Sequence, residues 1–259
     1  MIQVSINIKP HAPTQRSQDD IAQALDASPL GAAFARTASP ITCYLAVELA
    51  FAWRDFRRRL AQVPFVQKLE RGAFTLVDYK TLLLNWRQQV VEGSHWITRT
   101  ASSMEADMSP LRSVIIGHAF VEHQHYKMIE ATYVSAGGSL EEITHHPPNV
   151  GSEALTAYLL HEASKPNPLH MFGALFIIEG VGPLVLGPWG RLLQDQLSLK
   201  DEAFEFFSYH AGQDASPFEK LRALLTIPQI TEPVARDLVK LARVVSRLYC
   251  LQFEELDNH

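Results

Sequence analysis

Apolar side chains recur every three or four residues along most of the chain, which is the spacing of one face of an α-helix. Ser39 followed by Pro40 predicts a helix start, with an N-cap and a proline at the first helical position. Thr75 predicts the start of a second helix. Little of the sequence has the alternation of a strand, so the pattern predicts an all-α protein.

Later parts of the chain continue the same pattern. Ser109 and Pro110 predict a third long helix, which would end at the glycine pair Gly137 and Gly138. His118, Glu122 and His125 would then lie on one core-facing stripe of this helix, between apolar neighbours at either end. Further helices are predicted at about 152 to 164, 167 to 198, 201 to 214, 218 to 226 and 231 to 256.

The first residues have a different pattern. Isoleucine and valine alternate with polar residues between residue 1 and about residue 20, which predicts a short strand-like segment. This segment would belong to an N-terminal arm over residues 1–38. No Ser/Gly-rich or Pro-rich linker divides the remainder, so residues 39–259 are predicted to form one helical domain.

Composition narrows the partners and the compartment. The formal charge of -5 gives no general attraction for nucleic acid or for an anionic membrane. The two cysteines, Cys43 and Cys250, form no Cys-x-x-Cys unit and are too few for a disulfide framework, which favours the cytoplasm. Residues 171–190 are apolar enough to consider as a membrane span, but Glu179 at the centre favours a buried helix of a soluble core.

Glu179 is the only ionisable residue between Met171 and Gly190. Burying a carboxylate costs several kcal/mol unless it is neutralised, paired or bound to a metal. Suitable partners occur in pairs that share a helix face, namely Glu92 with His95, Glu122 with His125, and His210 with Asp214. Carboxylates and imidazoles converging from several helices predict a two-metal centre inside a bundle.

Each pair also has an ordinary structural interpretation. Glu122 and His125 could form a solvated pair on a helix surface, and Glu92 could be a surface residue. His210 and Asp214 could act as outer donors or as a helix cap. Neither cysteine has a histidine neighbour in sequence, so a cysteine nucleophile has little support.

The order and context of these residues resemble the heme-oxygenase-like diiron oxidases and oxygenases over roughly residues 60 to 255. The segments that carry the resemblance are NWRQQVVE, FVEHQHY, FIIEG and YHAGQDASPFE. The sequence looks most similar to fatty-acid decarboxylases that form terminal alkenes, and it also resembles members that cleave amino acids or oxygenate amines. The fold that the resemblance implies is a single heme-oxygenase-like helical bundle, related to thiaminase II and pyrroloquinoline-quinone synthase, which bind no diiron centre.

The resemblance also implies a ligand set for two iron ions, with dioxygen as co-substrate. The implied ligands are Glu92, Glu122, His125, Glu179, His210 and Asp214. Many members have a further histidine three residues after the aspartate, where this chain has Pro217. His95 and His118 are therefore candidates for an extra ligand or for an outer hydrogen-bond donor.

The implied function is oxidation of a small acid, amino acid or amine, by cleavage of a carbon–carbon bond or by N-oxygenation. Arg99 and Arg87 are candidates to hold a substrate carboxylate, although both are also ordinary surface arginines. A homodimer and an external electron donor are further possible partners. Two alternatives stay open, a metal-free enzyme of the thiaminase or quinone-synthase type that uses buried acids as acid and base, and a helical interaction protein without catalysis.

Overall fold

The computed structural model describes residues 16–31, 34, 39–212 and 216–257, and all regular elements within these ranges are helices. The all-α prediction is therefore confirmed. The α-helices are α1 (Gln18–Asp26), α2 (Pro40–Leu60), α3 (Pro64–Glu70), α4 (Leu76–Ser102), α5 (Ser109–Glu122), α6 (His125–Ser135), α7 (Leu140–His145), α8 (Val150–Ala163), α9 (Phe172–Val181), α10 (Gly187–Gln196), α11 (Glu205–Ala211), α12 (Ser216–Leu224) and α13 (Glu232–Glu254). A π-helical turn, Gly182–Leu186, joins α9 to α10.

Of the three predicted helix starts, those at Ser39 and Thr75 have side-chain caps, whereas the helix that begins at Ser109 has none. Ser39 Oγ accepts a hydrogen bond from the backbone N–H of Thr42 at 3.2 Å. Thr75 and Asp78 form a reciprocal capping box, in which each side chain accepts a hydrogen bond from the backbone N–H of the other. These local interactions explain why α2 and α4 begin where the sequence predicts.

The predicted third helix is wrong in one respect, because it is interrupted between Glu122 and His125. His123 Nδ1 lies 2.6 Å from the Phe120 carbonyl oxygen. That oxygen would accept the backbone N–H of Gln124 in a continuous helix, so the imidazole competes with the helical hydrogen bond. The chain consequently starts a new helix, α6, at His125.

Two long helices organise the core. α13 packs against α2, α8 and α9, while α4 packs against α5, α6 and α8. Large aromatic side chains fill the space between them, and each stabilises the fold by roughly 1.5–3 kcal/mol through burial. Among them are Trp53, Tyr79, Phe172, Phe176 and Tyr249, all at most 2% exposed.

The apolar run around Glu179 lies within this core. The stretch Leu169–Gln196 is, among the described residues, the one helical stretch long and apolar enough to cross a membrane. Within its most apolar window 67% of the residues are buried inside the protein, which is consistent with a core helix of a soluble protein. Pro183 has no N–H to donate, which favours the π-helical turn directly after α9.

Glycines in this run allow α11 to approach closely. A Cβ atom on Gly182 would lie 3.3 Å from the His210 carbonyl oxygen, and one on Gly190 would lie 3.0 Å from Phe207 Cβ. These glycines therefore permit close helix packing near Glu179. Their effect is to bring His210 to the same side of the core as Glu179.

Part of the predicted arm is helical. Residues 18–26 form α1, which packs on α2, and Arg54 of α2 forms an ion pair with Asp20 of α1. The strand-like prediction for residues 1–15 lies outside the described residues.

Candidate metal centre

Three side chains from two helices meet inside the bundle. His118 and Glu122 belong to α5, and Glu179 belongs to α9. One ligand atom of each lies within 4.8 Å of those of the other two. His118 Nε2 is 3.0 Å from Glu179 Oε1, which joins residues 61 positions apart in the sequence. The structure thus supplies a partner for Glu179, whose side chain is only partly buried.

His125 completes one side of this group. Its Nδ1 atom is buried and lies 2.8 Å from Glu122 Oε2, but the two atoms are not aligned as a hydrogen bond. Two ligand atoms that bind one metal ion at right angles, each at about 2.1 Å, would lie about 3 Å apart. The separation of these two atoms is therefore compatible with two ligands of one metal ion, and their lack of hydrogen-bond alignment leaves the nitrogen available to bind it.

His210 approaches from α11. Its Nδ1 atom lies 2.7 Å from the Phe206 carbonyl oxygen, and because a carbonyl can only accept, this nitrogen carries the proton. The lone pair is then on Nε2, as a metal ligand requires. Burial lowers the pKa of His210, and the neighbouring His125, with ring centroids 5.3 Å apart, acts in the same direction. A neutral imidazole is the form that binds a metal.

Charge interactions shift the pKa values of His118 and Glu122. Burial disfavours the charged form of His118, but the hydrogen bond with Glu179 and the charge of Glu122 outweigh it and raise the pKa of His118. Burial alone would raise the pKa of Glu122, whereas the three histidines around it hold that pKa below its usual value. The carboxylate is therefore ionised, which is the form that binds a cation.

The structure does not bring Glu92 to this group. Its Oε2 atom lies 2.9 Å from His95 Nδ1, and the His95 side chain is 62% exposed. Gln89, one turn earlier on α4, lies in the core instead. The metal-binding roles of Glu92 and His95 stay predictions from the resemblance.

The remaining predicted residues lie elsewhere or are not described. Asp214 is outside the described residues. Arg99 donates a hydrogen bond to Ser164 Oγ at 2.8 Å on the exposed end of α4. Arg87 forms an ion pair with Glu130 at 2.6 Å. Neither arginine is among the residues that line the cavities beside Glu122 and Glu179.

Two cavities meet at the carboxylates. The inner cavity is bounded by Trp86, Trp96, Phe206 and Tyr249, and its polar lining comprises Gln89, Glu122, Glu179 and His210. The outer cavity is bounded by Ile115, Val121, Leu175 and Leu224, with His118, Glu122, Glu179 and Lys220 as polar members. The volumes of the inner and outer cavities, each including the solvent-open mouth, are about 790 and 840 Å³.

Sequence reasoning missed the polar contacts that shape the inner cavity. Trp86 Nε1 donates to Gln89 Oε1 at 3.0 Å and is 3.1 Å from the Tyr249 hydroxyl. Tyr249 also donates to Gln89 Oε1, at 3.2 Å. The sequence did contain a signal for Gln89. It follows Trp86 by three residues and precedes Trp96 by seven, so all three side chains lie on one buried face of α4.

The donor set fits a metal ion such as iron. Imidazole nitrogens and carboxylate oxygens are suitable ligands for iron. Here Glu122 and Glu179 line both cavities, His118 lines the outer one, His210 lines the inner one, and His125 lies beside Glu122. His125 Nδ1 is a buried nitrogen without a hydrogen bond, which in a native core calls for an explanation. A metal ion beside Glu122 would provide one.

Similar solved structures define the fold. A protein domain of unknown function with a heme-oxygenase-like fold from Shewanella denitrificans has a TM-score of 0.74 and 20% identity, covering 83% of this chain and 90% of its own. A TenA homologue from Pseudomonas syringae has a TM-score of 0.65 and 15% identity, over 83% of this chain and 93% of its own. A TenA homologue from P. horikoshii has a TM-score of 0.64 and 16% identity, over 82% and 97%. The chain has a heme-oxygenase-like fold.

The sequence also matches a family model. Residues 115–243 match a family described as iron-containing redox enzymes. This segment includes His118, Glu122, His125, Glu179 and His210. No functionally curated protein matches the chain. The predicted resemblance is thus confirmed for the fold and for the match to a family of iron-containing redox enzymes.

Proposed function

We propose that the protein is a dioxygen-dependent non-heme diiron oxidase that acts on a small acid, amino acid or amine. The observation that carries this proposal is the group of His118, Glu122 and Glu179, whose two carboxylates line both cavities. His125 lies beside Glu122, and His210 lines the inner cavity. A purely structural ion pair would need neither the second carboxylate nor these two further histidines. The match of residues 115–243 to iron-containing redox enzymes supports the same conclusion.

The side chains have separable tasks in this proposal. Glu122 and Glu179 supply oxygen ligands that both cavities reach, while His125 and His210 supply nitrogen ligands from two other helices. His118, hydrogen-bonded to Glu179, either binds metal or fixes the orientation of that carboxylate. Two ferrous ions, when bound, supply electrons for the reduction of dioxygen. Apolar walls exclude bulk water from the reaction.

Iron titration under anaerobic conditions tests the proposal. We expect about two Fe(II) per chain for the wild type and at most one for Glu179→Ala, because a carboxylate shared by both cavities is removed. Glu162→Ala is the matched control, since Glu162 also pairs with a histidine, His170, at 2.9 Å but lies outside both cavities. A wild-type chain that binds neither iron nor manganese would contradict the diiron assignment.

Glu92 requires its own test. To bind metal, its carboxylate would have to leave His95 and turn towards the side of α4 that carries Gln89. Glu92→Gln should then reduce the iron stoichiometry without lowering the stability of the metal-free protein. Two tightly bound irons in this variant would remove Glu92 from the ligand set.

A metal-free acid/base enzyme is the second candidate. The His118–Glu179 hydrogen bond favours it, because such a pair can move a proton. A cysteine nucleophile is not favoured, since burial raises the pKa of Cys43 and raises that of Cys250 to about 12. An active chain that binds no iron and consumes no dioxygen would support this candidate against the first.

A further inference from the structure

A groove between α1, α2 and α13 carries a concentration of arginine in a chain whose formal charge is -5. We call it the arginine groove. It is defined by Arg16, Arg54, Arg58, Arg59, Arg243 and Arg247. The carboxylates paired with these guanidinium groups are Asp20, Asp55 and Glu48, so cationic groups outnumber anionic ones two to one. The groove is locally positive on a negative protein.

Aromatic contact and pairing hold the guanidinium groups in place. The Cζ atoms of Arg16 and Arg54 lie 3.9 and 4.4 Å from the ring centroid of Phe51. Arg243 Nη2 lies 2.6 Å from Glu48 Oε2, and Glu48 also pairs with Arg16. Such contacts reduce the side-chain entropy that a partner would otherwise have to overcome.

The pairing also determines the kind of ligand that fits. Five of the six arginines already have a carboxylate partner, and Arg247 alone has none among the described residues. A tight site for a small anion would need several unpaired guanidinium groups at one point, and the groove does not provide them. A broad positive surface suits the acidic face of another protein.

The position of the groove relative to the candidate metal centre indicates the function of the protein that would bind there. Arg54, Arg58 and Arg59 occupy the outer side of α2, whereas Trp53 and Phe56 on its inner side are buried. The rings of Trp53 and Phe56 are 5.3 Å apart, and Phe56 is 5.7 Å from the ring of Tyr249. Packed aromatic side chains thus connect α2 to Tyr249, which lines the inner cavity.

Trp53 provides a second connection. A Cβ atom on Gly180 would lie 2.7 Å from Trp53 Cζ3, so this indole packs directly against the residue after Glu179. The arginine groove is therefore separated from the candidate metal centre by one helix and its inward aromatic side chains. A partner in the groove would bind outside both cavities, on the outer side of the helix whose aromatic side chains contact Tyr249 and Gly180.

We infer that the arginine groove docks an acidic one-electron carrier protein, of the iron–sulfur or flavin type, which reduces the metal centre. This inference rests on the proposed function, because it requires ferric ions that must be returned to the ferrous state. In each encounter the carrier loses one electron and one Fe(III) becomes Fe(II), with no bond made or broken. Small, weak interfaces are usual for such encounters.

Binding by the metal-free protein tests the docking surface separately from the iron chemistry. The probe is an oxidised acidic [2Fe–2S] ferredoxin, titrated calorimetrically at low and at physiological salt. We expect binding that weakens with salt, and a loss of about tenfold or more in affinity for Arg54→Glu, Arg58→Glu and Arg247→Glu combined. The matched control reverses three exposed charges elsewhere, with Arg71→Glu, Arg191→Glu and Lys200→Glu, and should change affinity less than about twofold.

Electron transfer provides the second measurement. Ferric protein is mixed anaerobically with reduced ferredoxin, and we expect the groove variant to slow ferredoxin oxidation while reduction by dithionite is unchanged. No salt-dependent binding by the wild type, equal affinity of the two triple variants, or binding of a polynucleotide in place of ferredoxin would each overturn the inference. If the protein takes up no iron, the proposed function fails, whereas the ferredoxin titration still decides whether the groove binds an acidic carrier.

Discussion

His125 Nδ1 and Glu122 Oε2 lie 2.8 Å apart across a break between two helices, without hydrogen-bond alignment. Glu122 is the last residue of α5, where the helix dipole disfavours a negative charge. A cation beside this carboxylate would therefore be favourable for two reasons, the helix end and the burial. A cation bound to both atoms would neutralise the carboxylate and give the buried nitrogen a partner.

Metal binding should accordingly stabilise the fold through Glu122. Free metal at 100 times its dissociation constant contributes about 2.7 kcal/mol. For a chain of this size that corresponds to a rise in Tm of roughly 5 to 10 °C. We expect Mn(II), or Fe(II) without oxygen, to produce this shift in the wild type and not in Glu122→Gln, as measured by differential scanning calorimetry.

The control for that measurement is Glu162→Gln, which removes a partly buried carboxylate away from the cavities. This variant should keep the metal-induced shift even if its own Tm is lower. An equal shift in Glu122→Gln and in the wild type would show that the metal binds elsewhere.

Gly180 should be intolerant of a side chain. An added Cβ would lie 2.7 Å from Trp53 Cζ3 and 2.9 Å from Pro29 Cγ. Overpacking of this kind costs about 1–3 kcal/mol, so Gly180→Ala should lower the free energy of unfolding by that amount in urea. Gly117→Ala is the contrasting variant, because nothing lies within 4 Å of its added Cβ. It should gain about 0.5–1 kcal/mol from helix propensity, and a loss at both positions would contradict the packing argument.

The sequence was sufficient for helix starts that depend on local chemistry. Ser39 and Thr75 cap α2 and α4 as predicted, because an N-cap involves only residues within one turn. The break after Glu122 was not predictable from periodicity, since α5 and α6 continue the same apolar spacing and no glycine or proline marks the junction. A single imidazole contact, His123 with the Phe120 carbonyl, decides it.

The candidate site, like the helices, was only partly predictable from the sequence. Glu179 was identifiable as a buried acid from its apolar neighbours, but its partner His118 lies 61 residues away and is brought near by tertiary packing. On α4, Gln89 and Glu92 are about 60° apart around the helix axis. The spacing of apolar residues does not distinguish which of two side chains so close together faces the core. The pattern therefore could not show that Gln89 lines the inner cavity and that Glu92 contacts His95.

The capping box of α4 should make stability depend on pH. Burial of Asp78 by itself raises its pKa, but the ion pair with Lys68 and the hydrogen bonds with Thr75 outweigh it, so the pKa is lowered on folding. A carboxylate whose pKa is lower in the folded state contributes stability above its unfolded pKa of about 3.9. This contribution is lost as the pH falls through the folded pKa.

We therefore expect Asp78→Ala to cost about 1 kcal/mol at pH 7, with a smaller cost at pH 3. Urea unfolding of the wild type and the variant at both values gives the difference directly. A cost that is equal at the two pH values would assign the effect to helix propensity or packing, with no contribution from the ionised cap.

Metal binding should also order α11 through His210. This helix has only seven residues, Glu205–Ala211, and an isolated helix of that length is unstable in water. His210 has its Nδ1 atom hydrogen-bonded to the Phe206 carbonyl, so a metal on Nε2 would connect the helix to Glu122 and Glu179.

Fe(II) added without oxygen should slow amide hydrogen exchange at Tyr209, His210 and Ala211 by about tenfold or more, if the metal adds at least 1.4 kcal/mol to the local opening energy. The central residues of α13, which are already buried in the core, should exchange at the same rate with and without metal, and His210→Ala should remove the effect on α11. Equal exchange of α11 in the two states of the wild type would show that His210 does not bind the metal.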